Sequence, residues 1–310
     1  MLGRTSVLDC PQLCIALLGT MFVSHALPAQ IKELPSNEES GVNIDRFIGH
    51  PSLSHVRISH EAIVTRAILT NGNPHQPNDT GAVLLFRKSL SLGTLWPGNQ
   101  TPLVQLPDQQ IIFVESGEGH LDNGSQYWDL RGGVAVLVPA GAKHRLKNTG
   151  EGSLDMLILT WQSLKEATPR SEILVRDVND LPLDGKNNHW SYISKNIFNP
   201  ADGLHPGESF SIIYMPPMTI AGPHGHSPGS EEVWVKLPPY STYLFLGSEV
   251  RDMPPNTAFL APPNDKTTHS VVNFTKDKTH TFIGFAIHPK WPSRELPSVE
   301  PKAINNNSVQ

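Results

Sequence analysis

The chain has 310 residues, of which 38% are hydrophobic and 17% charged, a balance that suits globular domains and, on length, about two of them. Its 28 Pro and 24 Gly argue against long helices and for many turns. The formal net charge of −5 gives no basic surface for nucleic acid, so nucleic-acid binding is not expected.

Taken in order, the N-terminus reads as a secretory signal over residues 1–26. Arg4 supplies a positive start, weakened by Asp9, and Leu13 to Val23 form an eleven-residue apolar run, too short to span a bilayer. Ser24-His25-Ala26 is a small-x-small cleavage site, and Ala29 is a second candidate. The expectation is a secreted or periplasmic protein with no membrane segment after signal removal. Cys10 and Cys14 both lie inside the signal, so the mature chain has neither disulfides nor thiolate ligands.

Residues 27–80 read as a leader or strap. Leu27 to Arg57 is rich in Pro, Ser, Glu and Gly, and Ile58 to Leu69 fits a short helix or a strand equally well. Short apolar runs then alternate with turn chemistry: Ala82 to Phe86, Ile111 to Val114, Tyr127 to Leu130, Val134 to Val138 and Leu154 to Trp161. This spacing predicts an antiparallel barrel or jelly roll over residues 81–165. Residues 166–190 form a polar linker with a candidate edge strand at Ile173 to Val175. A second set of short runs fills residues 191–290, and residues 291–310, ending in Asn and Ser, read as a disordered tail.

The chemistry concentrates in Pro223 to Leu237 and at His269. His224 and His226 are two apart, so on an extended strand both imidazoles face one way. After the turn-like Ser227 to Ser230, Glu231 opens a new apolar run and brings a carboxylate back. His269 opens another run and adds a fourth donor. Three imidazoles and a carboxylate suit one divalent transition metal: Mn, Fe, Ni, Cu or Zn. With Glu231 inward, Val233 and Val235 share its face, while Trp234 packs between sheets. Lys266, Tyr214, Tyr240, Tyr243, Arg251 and Asp265 are candidate mouth residues.

These residues resemble the cupin family. His224, His226 and Glu231 fit its first motif, although Pro238 replaces the closing Gly. Pro262, His269 and Asn273 fit the second across a longer loop. Earlier in the chain, Gly133, Pro139, Gly141, His144 and Asn148 also fall in register with the second motif, and Gln110 stands where the first motif places its Glu. Leu103 and Gln105 then occupy the two His positions, so this copy lacks a ligand set and His144 is expected in a core or turn. Gln110 to Val114 echoes Glu231 to Val235, an internal repeat.

The resemblance implies an all-β chain of two double-stranded β-helix barrels in tandem, a bicupin whose first metal site is degenerate. It also implies a small-molecule ligand and is compatible with a homo-oligomer. The expected function is metal-dependent chemistry on an organic acid, phenolic or carbohydrate derivative: dioxygenation, decarboxylation, lyase or isomerase chemistry. The alternative is a non-catalytic sugar-binding or storage-like cupin. Of five Asn-x-Ser/Thr sequons, the one at Asn273 falls on the ligand face of its strand, where a glycan would collide with the site.

Overall fold

The computed structural model describes residues 43–184 and 191–288. The expected signal segment and tail lie outside these residues. The described chain consists of short strands, antiparallel except where Ala82–Leu84 meets Ile63–Asn71, joined by turns, with four short 3-10 turns and no long helix. Four sheets make two barrels, as the repeat predicts.

The first barrel joins a large and a small sheet. The large one runs in the order Leu174–Asp177, Val134–Val138, Gln109–Ser116, Leu154–Trp161, Ser89–Leu95, Ile63–Asn71 and Val56–Ser59, with Ala82–Leu84 beside Ile63–Asn71. The small one runs Val104–Gln105, Lys143–Asn148, Glu118–Asp122 and Tyr127–Arg131. In the second barrel the large sheet runs Ile48–Gly49, Ala258–Leu260, Glu231–Lys236, His280–Ile287, Glu208–Met215 and Ile193–Phe198. Its partner sheet runs Thr219–Ile220, His269–Asn273, Thr242–Leu246 and Glu249–Met253.

Side-chain parity shows how the barrels meet. On the Gln109–Ser116 strand, Ile112 and Val114 join the core of the first barrel with Leu121 and Leu146. Their neighbours Ile111 and Phe113 join a different cluster, shared with Val233 and Val235 of the second barrel. The two large sheets therefore pack back to back, and their strands are buried on both faces. Each Val or Phe so buried contributes about 1.5–3 kcal/mol.

The leader is less separate than expected. Ile48–Gly49 straps onto Ala258–Leu260 of the second barrel, but Val56–Ser59 and Ile63–Asn71 form a hairpin inside the first barrel's large sheet. The ambiguous stretch near Ile58 is thus a strand pair. Buried Ile63, Ile68 and Leu69 hold it there. The linker does carry its edge strand, Leu174–Asp177, paired to Val134–Val138.

The repeat is visible in equivalent side chains. Asn148 donates through Nδ2 to the carbonyls of Leu95 and Gly152, both at 2.8 Å. Asn273 does the same for Met215, Pro216 and Lys278, at 2.9, 3.0 and 2.7 Å. Each amide is fully buried and holds together the backbone that closes its barrel.

Candidate metal centre

His224 and His269 lie opposite each other, joined by backbone hydrogen bonds from His224 N to His269 O (3.3 Å) and from His269 N to His224 O (2.9 Å). His226 follows on the same face. The Ser227 to Ser230 turn closes as its sequence predicts, with Ser230 N and Oγ both donating to the Ser227 carbonyl. Gly229 takes the left-handed conformation that this reversal needs (φ 84°).

The carboxylate that returns is that of Glu232, not of Glu231. Donor atoms of His224, His226, Glu232 and His269 all lie within 4.8 Å of one another. The imidazole centroids are 4.9 Å (His224–His226), 4.4 Å (His224–His269) and 5.0 Å (His226–His269) apart. Glu232 Oε2 stands 3.3 Å from His226 Nε2, and Oε1 stands 3.3 Å from His269 Nε2. Trp234 Nε1 donates to Oε1 at 2.9 Å and fixes the carboxylate. Outside this set, His288 Nε2 lies 3.9 Å from Glu232 Oε2.

Glu231 points through the opposite face of the strand, into the junction between barrels. There Oε1 accepts from Arg87 Nη1 at 2.5 Å, and Oε2 accepts from the backbone N–H groups of Leu85 (2.6 Å) and Phe86 (2.9 Å). Arg87 also pairs with Glu208 and lies over the Phe285 ring. The expected register is therefore off by one, and everything tied to it inverts. Val233 and Val235 face the first barrel, and Trp234 faces the site. A one-residue shift exchanges the two faces of a strand.

The electrostatics favour a metal. Burial pushes His226 down to about 4, against the pull of Glu232, and burial with the neighbouring His269 lowers His224. Both imidazoles are therefore neutral near pH 7, the state in which they ligate. Burial opposes ionisation of Glu232, but hydrogen bonding and charge from His269, with His226 and Trp234, hold it well below the ordinary carboxylate range. His224 Nδ1 lies 2.9 Å from the Gly222 carbonyl, which can only accept, so Nδ1 carries the proton and Nε2 keeps its lone pair. His226 Nε2 is buried and makes no hydrogen bond. An anionic oxygen among imidazole nitrogens is a donor set a divalent transition ion takes.

The equivalent place in the first barrel holds different chemistry. His144 stands opposite Val104, as His269 stands opposite His224, so Val104 and Leu106, rather than Leu103 and Gln105, occupy the two His positions. Gln110 replaces Glu232. His60, which sequence reasoning missed, enters from the Ser59–Ala62 turn and bonds Gln110 Oε1 through Nε2 at 3.0 Å. Its ring meets that of His144 edge-on at 5.2 Å. Burial, and then His144, push His60 down to about 4. His144 is a buried core residue, as expected.

A cavity of about 260 Å³ opens beside Glu232 and Trp234, walled by Ser194, Asn196, Ser209 and Ser211. The mouth candidates lie elsewhere. Tyr240 stacks on His280, Tyr243 meets Phe274, and Arg251 binds Asp45 and Glu249. Tyr214 does not line the cavity, and Lys266 is exposed in its loop. Asp265 contributes only its backbone N–H, which donates to the His226 carbonyl at 2.9 Å.

Residues 91–160, within the first barrel, match the cupin domain family. Solved structures similar to the chain include AerE from Microcystis aeruginosa, at 16% identity and a TM-score of 0.58, covering 78% of this chain and 99% of that one. The 7S globulin of Momordica charantia aligns at 12% identity and a TM-score of 0.56, covering 78% and 84%. The Lactobacillus farciminis oxalate decarboxylase formate complex aligns at 15% identity and a TM-score of 0.55, covering 80% and 88%. A search of curated proteins found no match. Residues 91–160 thus match the cupin domain, and the paired barrels share the fold of these two-barrel structures.

Proposed function

We propose that this chain is an exported metal-dependent enzyme acting on a small oxygenated molecule, by dioxygenation, decarboxylation, lyase or isomerase chemistry. The carrying observation is that His224, His226, Glu232 and His269 converge within 4.8 Å beside a cavity large enough for a small ligand. A divalent ion held there would supply Lewis acidity, an orienting template or redox capacity, with up to two coordination positions left for ligand. The chain's own part is to present three imidazoles and one fixed anion. Trp234 aims the carboxylate and contributes to the wall of the site.

The test is elemental analysis of purified protein, followed by a turnover screen of the loaded form against organic acids, phenolics and carbohydrates. About one divalent ion per chain with conversion of a substrate supports the reading. Binding without conversion would instead favour a non-catalytic cupin. Export is tested by the mature N-terminus, expected at Leu27 after cleavage behind Ala26. Full-length protein retained in the cytoplasm would overturn that part.

A further inference from the structure

The cavity beside the metal centre has an unusual wall. Ser194 and Asn196 on the Ile193–Phe198 strand, with Ser209 and Ser211 on the Glu208–Met215 strand, all face it, and Asn196 pairs directly with Ser211. The alternate residues Phe210 and Ile212 face the junction between barrels and are apolar. The inner face thus carries hydroxyls and an amide where a barrel interior ordinarily carries hydrocarbon. The hydroxyls of Ser194, Ser209 and Ser211 make no hydrogen bond to another described residue, while each can donate one and accept two. Hydroxyls with free donors and acceptors on a cavity wall favour a ligand that can exchange hydrogen bonds with them.

The charge of the wall narrows the ligand further. Among the described lining residues there is no Lys or Arg, and the acidic groups are Glu232 and Asp184. Away from the metal centre, the described wall offers an anion no guanidinium or ammonium, so its own contribution to binding falls to hydroxyls, an amide and apolar side chains. Trp234 and Ile213, whose Cδ1 packs over Gly284, supply an apolar stretch beside the hydroxyls. Polar atoms on one side and a ring face on the other match a compact molecule with several hydroxyls and C–H faces.

We infer that this cavity binds a neutral polyhydroxylated ligand, of the sugar or sugar-alcohol class. The inference rests on the proposed reading for the nearby metal, but its binding test is separable from it. Full-length mature protein, loaded with Mn²⁺ and assayed for metal, would be titrated by calorimetry with xylose, galactose, sorbitol and malonate. At least one neutral compound should bind saturably, whereas malonate can engage only the metal and should be insensitive to changes in the hydroxyl wall. The double variant N196A/S211A should weaken that neutral compound by about tenfold or more with metal content unchanged. Ser209→Ala, which removes a hydroxyl without an internal partner, should fold like the parent and weaken binding by a smaller factor. No binding of any neutral compound, or unchanged binding of the neutral compound in both variants, would overturn the inference. If the parent protein retained no metal, the metal reading would fail, and the same comparison on the metal-free chain would still decide this one.

Discussion

Glu231 and Glu232 are neighbours in sequence and belong to different parts of the molecule. Glu232 closes a donor set with three imidazoles, and Glu231 is gripped by Arg87 at the junction of the barrels. Exchanging either carboxylate for its amide should therefore give opposite phenotypes. Glu232→Gln should lose most bound metal, because the only anionic donor is gone. Glu231→Gln should keep about one metal per chain yet lose about 3–5 kcal/mol of stability, because Arg87 then stays buried with only Glu208 as a charged partner. Elemental analysis and urea melts of both variants decide this; loss of metal in Glu231→Gln alone would reverse the assignment.

Metal binding should be one-sided. His226→Ala removes a buried central ligand and should cut occupancy sharply. His144→Ala should leave it unchanged, because Val104, Leu106 and Gln110 form no set of strong ligands around it. The check is metal content after identical loading, where two ions per parent chain would contradict the expectation.

Acid should destabilise the first barrel through His60. Its folded value lies near 4, below the ordinary 6.5, because burial and His144 disfavour the cation. The unfolded chain takes up a proton as pH falls through 6.5 while the folded chain does not until about 4, so stability is lost across that window and levels off below it. The loss amounts to about 3 kcal/mol at 1.36 kcal/mol per unit. His60 sits in a left-handed turn conformation (φ 49°) that Asn adopts readily, so His60→Asn should fold. The difference in unfolding free energy between pH 7 and pH 4.5 should shrink in that variant; an unchanged difference would count against His60 as the sensor.

The sequon at Asn273 should carry no glycan even when the chain passes through a glycosylating secretory route. Its Nδ2 is buried and already donates to three carbonyls. Peptide mass spectrometry should find Asn273 unmodified, and Asn273→Ala should cost about 1–3 kcal/mol through the carbonyls left unpaired.

The three histidine ligands could be read from the sequence because spacing of two and a return strand are local facts. The acidic ligand could not. All six residues of Glu231–Lys236 are buried, since the strand lies between its own barrel and the neighbouring one. Alternation of polar and apolar residues, which reveals which face points inward, is absent there. The partner that claims Glu231 is Arg87, 144 positions earlier in the chain. His60 was equally hidden, since its place in the barrel depends on a hairpin that the sequence left undecided between helix and strand. The positions of many strands and the repeat were legible because Gly, Pro and Asn mark the turns directly.

Arg87 also bears on how such a chain can drift. The first barrel has given up its ligand residues, yet it still supplies the cation and two backbone N–H groups that neutralise acidic side chains of its neighbour. Cut away, the second barrel would expose Glu208, Glu231 and the Val233–Val235 face to solvent. The half that carries the candidate metal centre thus depends on residues 85–87 of a half with no strong ligand set of its own, which serves it as a mould. A minimal metalloprotein made from the second barrel alone would have to be redesigned along that whole face.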